Sequence, residues 1–141
     1  MECVFFMGLD QEILRGKHEH PPRLNQKTGK WMGAKSLMEL RKCYWLHNRV
    51  MNICTQRGMD KSELNCKLIP LDKWELQDMI KDTKECIKAE SMNLINSYFD
   101  FCPSNDYELD WVISEMKDFN MIMSRYLKNQ SLTEYFYWSW W

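Results

Sequence analysis

No run of apolar residues in the 141-residue chain approaches the ~18 that a membrane span requires. CxxC, GxSxG, P-loop, GxGxxG and HExxH patterns are all absent. The first absence excludes a membrane-spanning helix; the others remove the familiar signatures of metal, hydrolase and phosphate-cradling sites, so no cofactor is expected. The opening MECVFFMGLD lacks the basic start and small-residue cleavage site of a signal peptide. Alanine is scarce, with only Ala34 and Ala89, a bias that fits AT-rich coding better than any structural need.

What is present reads as one globular domain over 1–141, with 45% apolar and 28% charged residues. Six cysteines, at 3, 43, 54, 66, 86 and 102, mostly fall among apolar helix positions, which reads as reduced core thiols of a cytoplasmic protein. The net charge of −1 conceals a division, because the stretch from Arg15 to Lys42 carries eight basic residues against Glu19 and Glu39. A basic segment in an otherwise acidic chain points to a compact anionic partner; a duplex spreading beyond the patch would be repelled, so general nucleic-acid binding is not expected.

The pattern predicts an α+β fold, with three main α-helices packed on a small antiparallel sheet formed by the N- and C-terminal strands. Helices are expected over 36–57, 72–89 and 105–128, an aromatic strand over 132–140, and a basic loop over 15–35 with a hairpin around Lys27 to Lys30. Residues 1–6 read as an extension, and Glu2 to Met7 as a β-prone run. In the first helix, Leu37, Leu40, Cys43, Tyr44, His47, Val50, Met51 and Cys54 form the core stripe, and Arg41, Trp45, Asn48 and Asn52 a neighbouring flank. Asp72 with Glu75 makes a capping box for the second helix, Ser104 caps the third, and the segment after Asn96 reads as a loop. In the last strand, period two sends Tyr135, Tyr137, Ser139 and Trp141 to one face and Glu134, Phe136, Trp138 and Trp140 to the other.

A guanidinium, an indole and amides along one helix suit a phosphate-bearing ligand with a ring. The candidate ligand-binding residues are therefore Arg41, Lys42, Trp45, His47 and Asn48, with Trp31 and Arg23 from the basic loop and Tyr135, Tyr137 and Trp140 from the last strand. His18 and His20 form HxH, but nothing completes a tetrahedral zinc shell, and no metal is expected. No catalytic residue is signalled. Were the protein an enzyme, His47 would be its acid or base, working with a distant carboxylate such as Asp10 or Asp106.

Three stretches together resemble a family of small phage-encoded proteins that begin MGLDMYL, carry YWRKANxIHxWF in a first helix and end in YYxSSW. Met7-Gly8-Leu9-Asp10 matches the opening; Arg41, Lys42 and His47 match the helix; Tyr135, Ser139 and Trp140 match the end. The chain departs where Glu39-Leu40 replaces Tyr-Trp, Tyr44 replaces asparagine and Arg49 replaces the second tryptophan. By analogy with small phage proteins that sequester nucleotide-like immune signals, the resemblance implies an anti-defence protein. Its ligand would be an ADP-ribose derivative or a cyclic nucleotide, bound in the host cytoplasm. The expected partner is thus a small phosphorylated nucleotide-like ligand and not a membrane, with homo-oligomerisation left open. The rival readings are an enzyme acting on that nucleotide and an interaction protein that blocks a host factor.

Overall fold

Period two divides the first strand, β1 (Asp10–Arg15, DQEILR): Gln11 and Ile13 turn one way, Asp10, Glu12 and Leu14 the other. It is the inner strand around which the computed structural model is built, and the structure describes residues 9–128 and 134–141. The elements that follow are β2 (Arg23–Asn25), β3 (Lys30–Met32), β4 (Lys35–Arg41), α1 (Tyr44–Gln56), β5 (Leu68–Asp72), α2 (Lys73–Ala89), α3 (Met92–Phe99), α4 (Asp106–Lys128) and β6 (Glu134–Trp140). A 3-10 turn, Lys61–Glu63, lies between α1 and β5. The fold is α+β: four antiparallel strands in the order β4-β1-β6-β5, with β2 and β3 as a separate hairpin.

The pairing of the chain's N- and C-terminal strands is the arrangement expected from sequence, but the N-terminal partner is Asp10–Arg15. The expected strand at Glu2 to Met7 and the extension over 1–6 lie outside the described residues, as do residues 132 and 133 of the expected last strand. Among the described residues four helices replace three, since MNLINSYF forms α3, capped by the Ser91 hydroxyl accepting from Leu94 N–H at 3.3 Å. The capping box of α2 forms, with Asp72 N–H donating to Glu75 Oε1 at 2.9 Å. In α4 the cap is Asn105, whose Oδ1 accepts from Glu108 N–H at 2.8 Å; Ser104 instead donates to the Glu108 carboxylate.

The largest departure concerns the expected helix over 36–57. Residues Lys35–Arg41 are a strand, and Lys42 adopts a left-handed backbone (φ 55) that ends it and prevents a helix from running through. A bulge opposite Ile13 and Leu14 inserts Leu37 as an extra residue, so Leu37 and Met38 both turn from solvent and the strand loses its period-two signature. Helix α1 then begins only at Tyr44.

Helices cover one sheet face, where Ile13, Ile69, Leu71, Tyr135 and Tyr137 join the core. At its centre Trp45 packs edge-on against Phe99 (5.1 Å) and Phe119 (5.5 Å), tying α1 to α3 and α4. Arg49 ties α1 to α2 and α3, through a 2.9 Å ion pair with Asp82 and a bond to Tyr98 O at 3.0 Å. The opposite face carries Leu14, Phe136 and Trp138, covered by the 16–34 segment, in which His18 packs edge-on against Phe136 at 5.0 Å. Burial on both faces explains the unbroken apolar run of β6.

The thiols follow the expectation in part. Cys43, Cys54 and Cys86 are free and buried and Cys102 is free and exposed, whereas Cys66 is disulfide-bonded. No helix among the described residues is long and apolar enough to cross a membrane.

Candidate functional site

Because the sheet lies between α1 and the basic segment, the side chains expected to form one site fall on its two sides. The cavity on the helix side, about 530 Å³, is lined by His47, Asn48, Met51 and Asn52 of α1, Lys61 and Ser62 of the 3-10 turn, Asn65, Asp100 after α3, and Trp141. That volume lies within the about 300–1,000 Å³ typical of small-molecule pockets.

Each wall of this cavity is held from behind. The Asn65 side chain brackets the Trp141 backbone, accepting from its N–H at 2.9 Å and donating to its carbonyl at 2.7 Å, while Cys66 N–H donates to Ser139 O at 2.9 Å. This continues the β5–β6 pairing past the end of β5 and places the Trp141 indole edge-on to His47, 4.9 Å between ring centroids. Asn48 donates to the Asp100 carbonyl at 2.8 Å, which leaves its own carbonyl oxygen as the group to offer a ligand. The 3-10 turn is fixed by Asp60, whose carboxylate accepts from Ser62 N–H at 3.0 Å and is held below its ordinary range by that backbone bond. Lys61 projects from the turn and, among the described residues, enters no ion pair.

His47 is held by a chain of bonds reaching across the sheet. Gln11, 3% exposed, accepts from Cys43 N–H through Oε1 at 2.8 Å, so its Nε2 must donate, to Cys43 O at 3.0 Å and to the Tyr137 hydroxyl at 2.8 Å. The same hydroxyl lies 2.9 Å from His47 Nδ1. The ring is therefore held to the sheet through Nδ1, which leaves Nε2 for a ligand. Burial, and then the Lys61 ammonium, lower its pKa from 6.5 to about 4, so the ring is neutral at pH 7. Burial also pushes the Tyr137 phenol up, away from ionisation.

The other expected site residues are dispersed. Arg41 ends β4 on the opposite face, exposed and 3.6 Å from Asp10. Trp31 and Trp140 lie on that face too, around a second cavity of about 450 Å³. Lys42 is exposed at the mouth of a small 180 Å³ cavity beside Glu115, whose carboxyl is pushed up to about 7 by burial. Trp45 lies in the core behind that small cavity, its indole N–H bonded to Glu115 Oε1 at 3.2 Å, and lines neither large cavity. Helical spacing had placed it on an open flank; α3 and α4 close over that flank. Tyr135 is buried among core residues, Tyr137 stands behind His47, and Arg23 is exposed on the hairpin, lining neither large cavity. His18 bonds to Tyr135 O at 2.9 Å and lies 3.7 Å from Glu134, pinning the loop to β6. Among the described residues no group of three metal-ligating side chains exists.

Of the residues lining this cavity, sequence reasoning named His47 and Asn48 as candidates, placed Asn52 on their flank and Trp141 on the face of Tyr137, and did not single out Lys61, Ser62, Asn65 or Asp100, nor Gln11 behind them. Only the Asp60-Lys61-Ser62 turn had a local signal, an acidic residue two before a serine in a polar connector. Comparison with family models, with curated proteins and with solved structures finds no match to this chain.

Proposed function

We propose that this protein binds and sequesters a phosphorylated nucleotide-like ligand in the His47 cavity. The observation that carries the reading is a preset array: the Nε2 of a neutral His47, the amides of Asn48 and Asn52, and an edge-fixed indole, with one ammonium at the rim. Carboxamides match the mixed donors and acceptors of a base or ribose edge. Trp141 offers a stacking surface worth about 1–3 kcal/mol, and Lys61 with Ser62 offers charge and a hydroxyl to phosphate. Lys61 takes the role that sequence reasoning gave Arg41.

Holding fits this array better than turnover. The Nδ1 of His47 is engaged by Tyr137, and with its pKa lowered to about 4 the ring is a weak base at pH 7. Resemblance to phage-encoded proteins, and an anti-defence role against an ADP-ribose-derived or cyclic-nucleotide signal, belong to the same proposal. So does action in the host cytoplasm, which the free thiols support and the Cys66 disulfide opposes.

Mass spectrometry of small molecules released by denaturing the natively purified protein tests the reading. Incubation of nucleotide signals with the protein, followed by heating, should return them intact. Chemically altered products would make it an enzyme, and a co-purifying host protein without any small molecule would favour the blocking role.

A further inference from the structure

The cavity on the other side of the sheet has a chemistry opposite to the first. Register sets its floor: Asp10 pairs with Trp140 and Arg41, and Glu12 pairs with Trp138 and Glu39, so all six side chains share one face. The β2–β3 hairpin closes over them. Asn25 Oδ1 accepts from Lys27 N–H at 2.9 Å, and Gly29 (φ 71) makes the left-handed turn that returns the chain. Period two in β3 then points Trp31 at the sheet, while the exposed Lys30 and Met32 face away. Trp31 is fixed there by its indole N–H donating to Glu12 Oε1 at 3.1 Å.

Two independent features indicate what this space accepts. Trp31 and Trp138 meet nearly at right angles (74°, 5.7 Å), and Trp138 and Trp140 are tilted by 59° at 6.4 Å, so three indoles surround the cavity without stacking on one another. Separately, Glu12 and Glu39 lie directly opposite on neighbouring strands, where like charges oppose each other, and neither enters an ion pair among the described residues. Arg41 engages Asp10 at the rim instead. Carboxylates left facing each other beside aromatic faces favour a cation that needs no hydrogen bonds of its own.

We propose that this cavity is a second binding site, for a methylated ammonium group held by the indoles of Trp31, Trp138 and Trp140 and the carboxylates of Glu12 and Glu39. It is independent of the nucleotide-like ligand, from which the sheet separates it. The group is carried either by a free molecule such as choline or by a methylated lysine of a peptide.

Isothermal titration of the full chain with choline, and with its neutral isostere 3,3-dimethylbutan-1-ol, tests the charge requirement. Choline should bind saturably and the isostere should not. A trimethyl-lysine peptide beside its unmethylated form separates the two sources, the tighter binder of choline and the methylated peptide identifying which. Glu39→Gln should weaken the cation by about fivefold or more and, by removing the like-charge pair, melt no lower than the parent without ligand. Equal binding of choline and its isostere, no binding of either cation, unchanged affinity in Glu39→Gln, or a variant melting well below the parent would each overturn the proposal.

Discussion

The Tyr137 hydroxyl lies 2.9 Å from His47 Nδ1, so the sheet holds the ring of a helix residue from behind. Gln11 in turn holds that hydroxyl, donating to it at 2.8 Å, and its own amide is oriented by both backbone groups of Cys43. A strand, a helix start and a cavity wall thus depend on one buried carboxamide.

Replacing that carboxamide should therefore be costly. Gln11→Ala strands Cys43 N–H and takes one of two bonds from Cys43 O and from the Tyr137 hydroxyl, which keep His47 N–H and His47 Nδ1 as partners. A buried donor without a partner costs about 1–3 kcal/mol, and denaturant unfolding should show a loss of that order. Gln11→Glu should lose nearly as much, since a carboxylate cannot donate to Cys43 O; a variant as stable as the parent would mean the network is not formed.

Stability should depend on pH through two groups of opposite sign. His47, lowered from 6.5 to about 4, contributes fully above pH 6.5 and loses that contribution as pH falls towards 4. Its shift corresponds to roughly 3 kcal/mol. Glu115, raised from 4.5 to about 7, contributes fully below pH 4.5 and loses its contribution as pH rises towards 7. Between pH 4.5 and 6.5 the two slopes oppose, so His47→Gln should make stability fall more steeply with rising pH and Glu115→Gln should make it rise. Melting curves across that range check both signs.

Ligand capture should separate Lys61 from Arg41. Arg41→Ala acts on the far side of the sheet and should leave nucleotide-like binding unchanged, whereas Lys61→Ala removes the only ammonium that lines the cavity among the described residues and should weaken it about tenfold. Titration with the ligand identified by mass spectrometry measures both, and a reversed order would place the site on the other sheet face.

Asn65→Ala tests how far the cavity depends on a fixed indole. Both of its bonds go to the Trp141 backbone, so the variant should lose about 1–2 kcal/mol of stability and bind the ligand several-fold more weakly. Hydrogen exchange should show faster loss of protection at Trp141 N–H than at Tyr137 N–H. Unchanged affinity would remove Trp141 from the site.

Trp45→Ala should behave as a core lesion, destabilising by about 3–5 kcal/mol because the indole fills the junction with Phe99 and Phe119. Trp45→Phe, which keeps a ring, should restore most of that loss and leave binding intact.

Sequence alone carried the features that are local. The Asp72 and Glu75 box, the extent of α4 and the alternation of Tyr135 and Tyr137 with Phe136 and Trp138 were each readable from local pattern. Strand β4 was not, because the bulge at Leu37 breaks its alternation and happens to leave a helical spacing through Leu37, Leu40 and Tyr44. Pro70 likewise disguised β5, which tolerates it as an edge strand. The grouping of site residues failed for a different reason: side chains close in sequence on β4 and α1 are directed to opposite faces by a sheet whose order no local pattern reveals.

That sheet order also constrains biosynthesis. Strand β6 fills the slot between β1 and β5, although four helices and every other strand precede it in the chain. On the ribosome β1 and β4 can pair early, but β5 has no neighbour and β1 keeps an open inner edge until β6 emerges. Closure of the sheet must await β6, so from the emergence of β1 until that of β6 the nascent chain carries strand edges exposed to other chains and to chaperones.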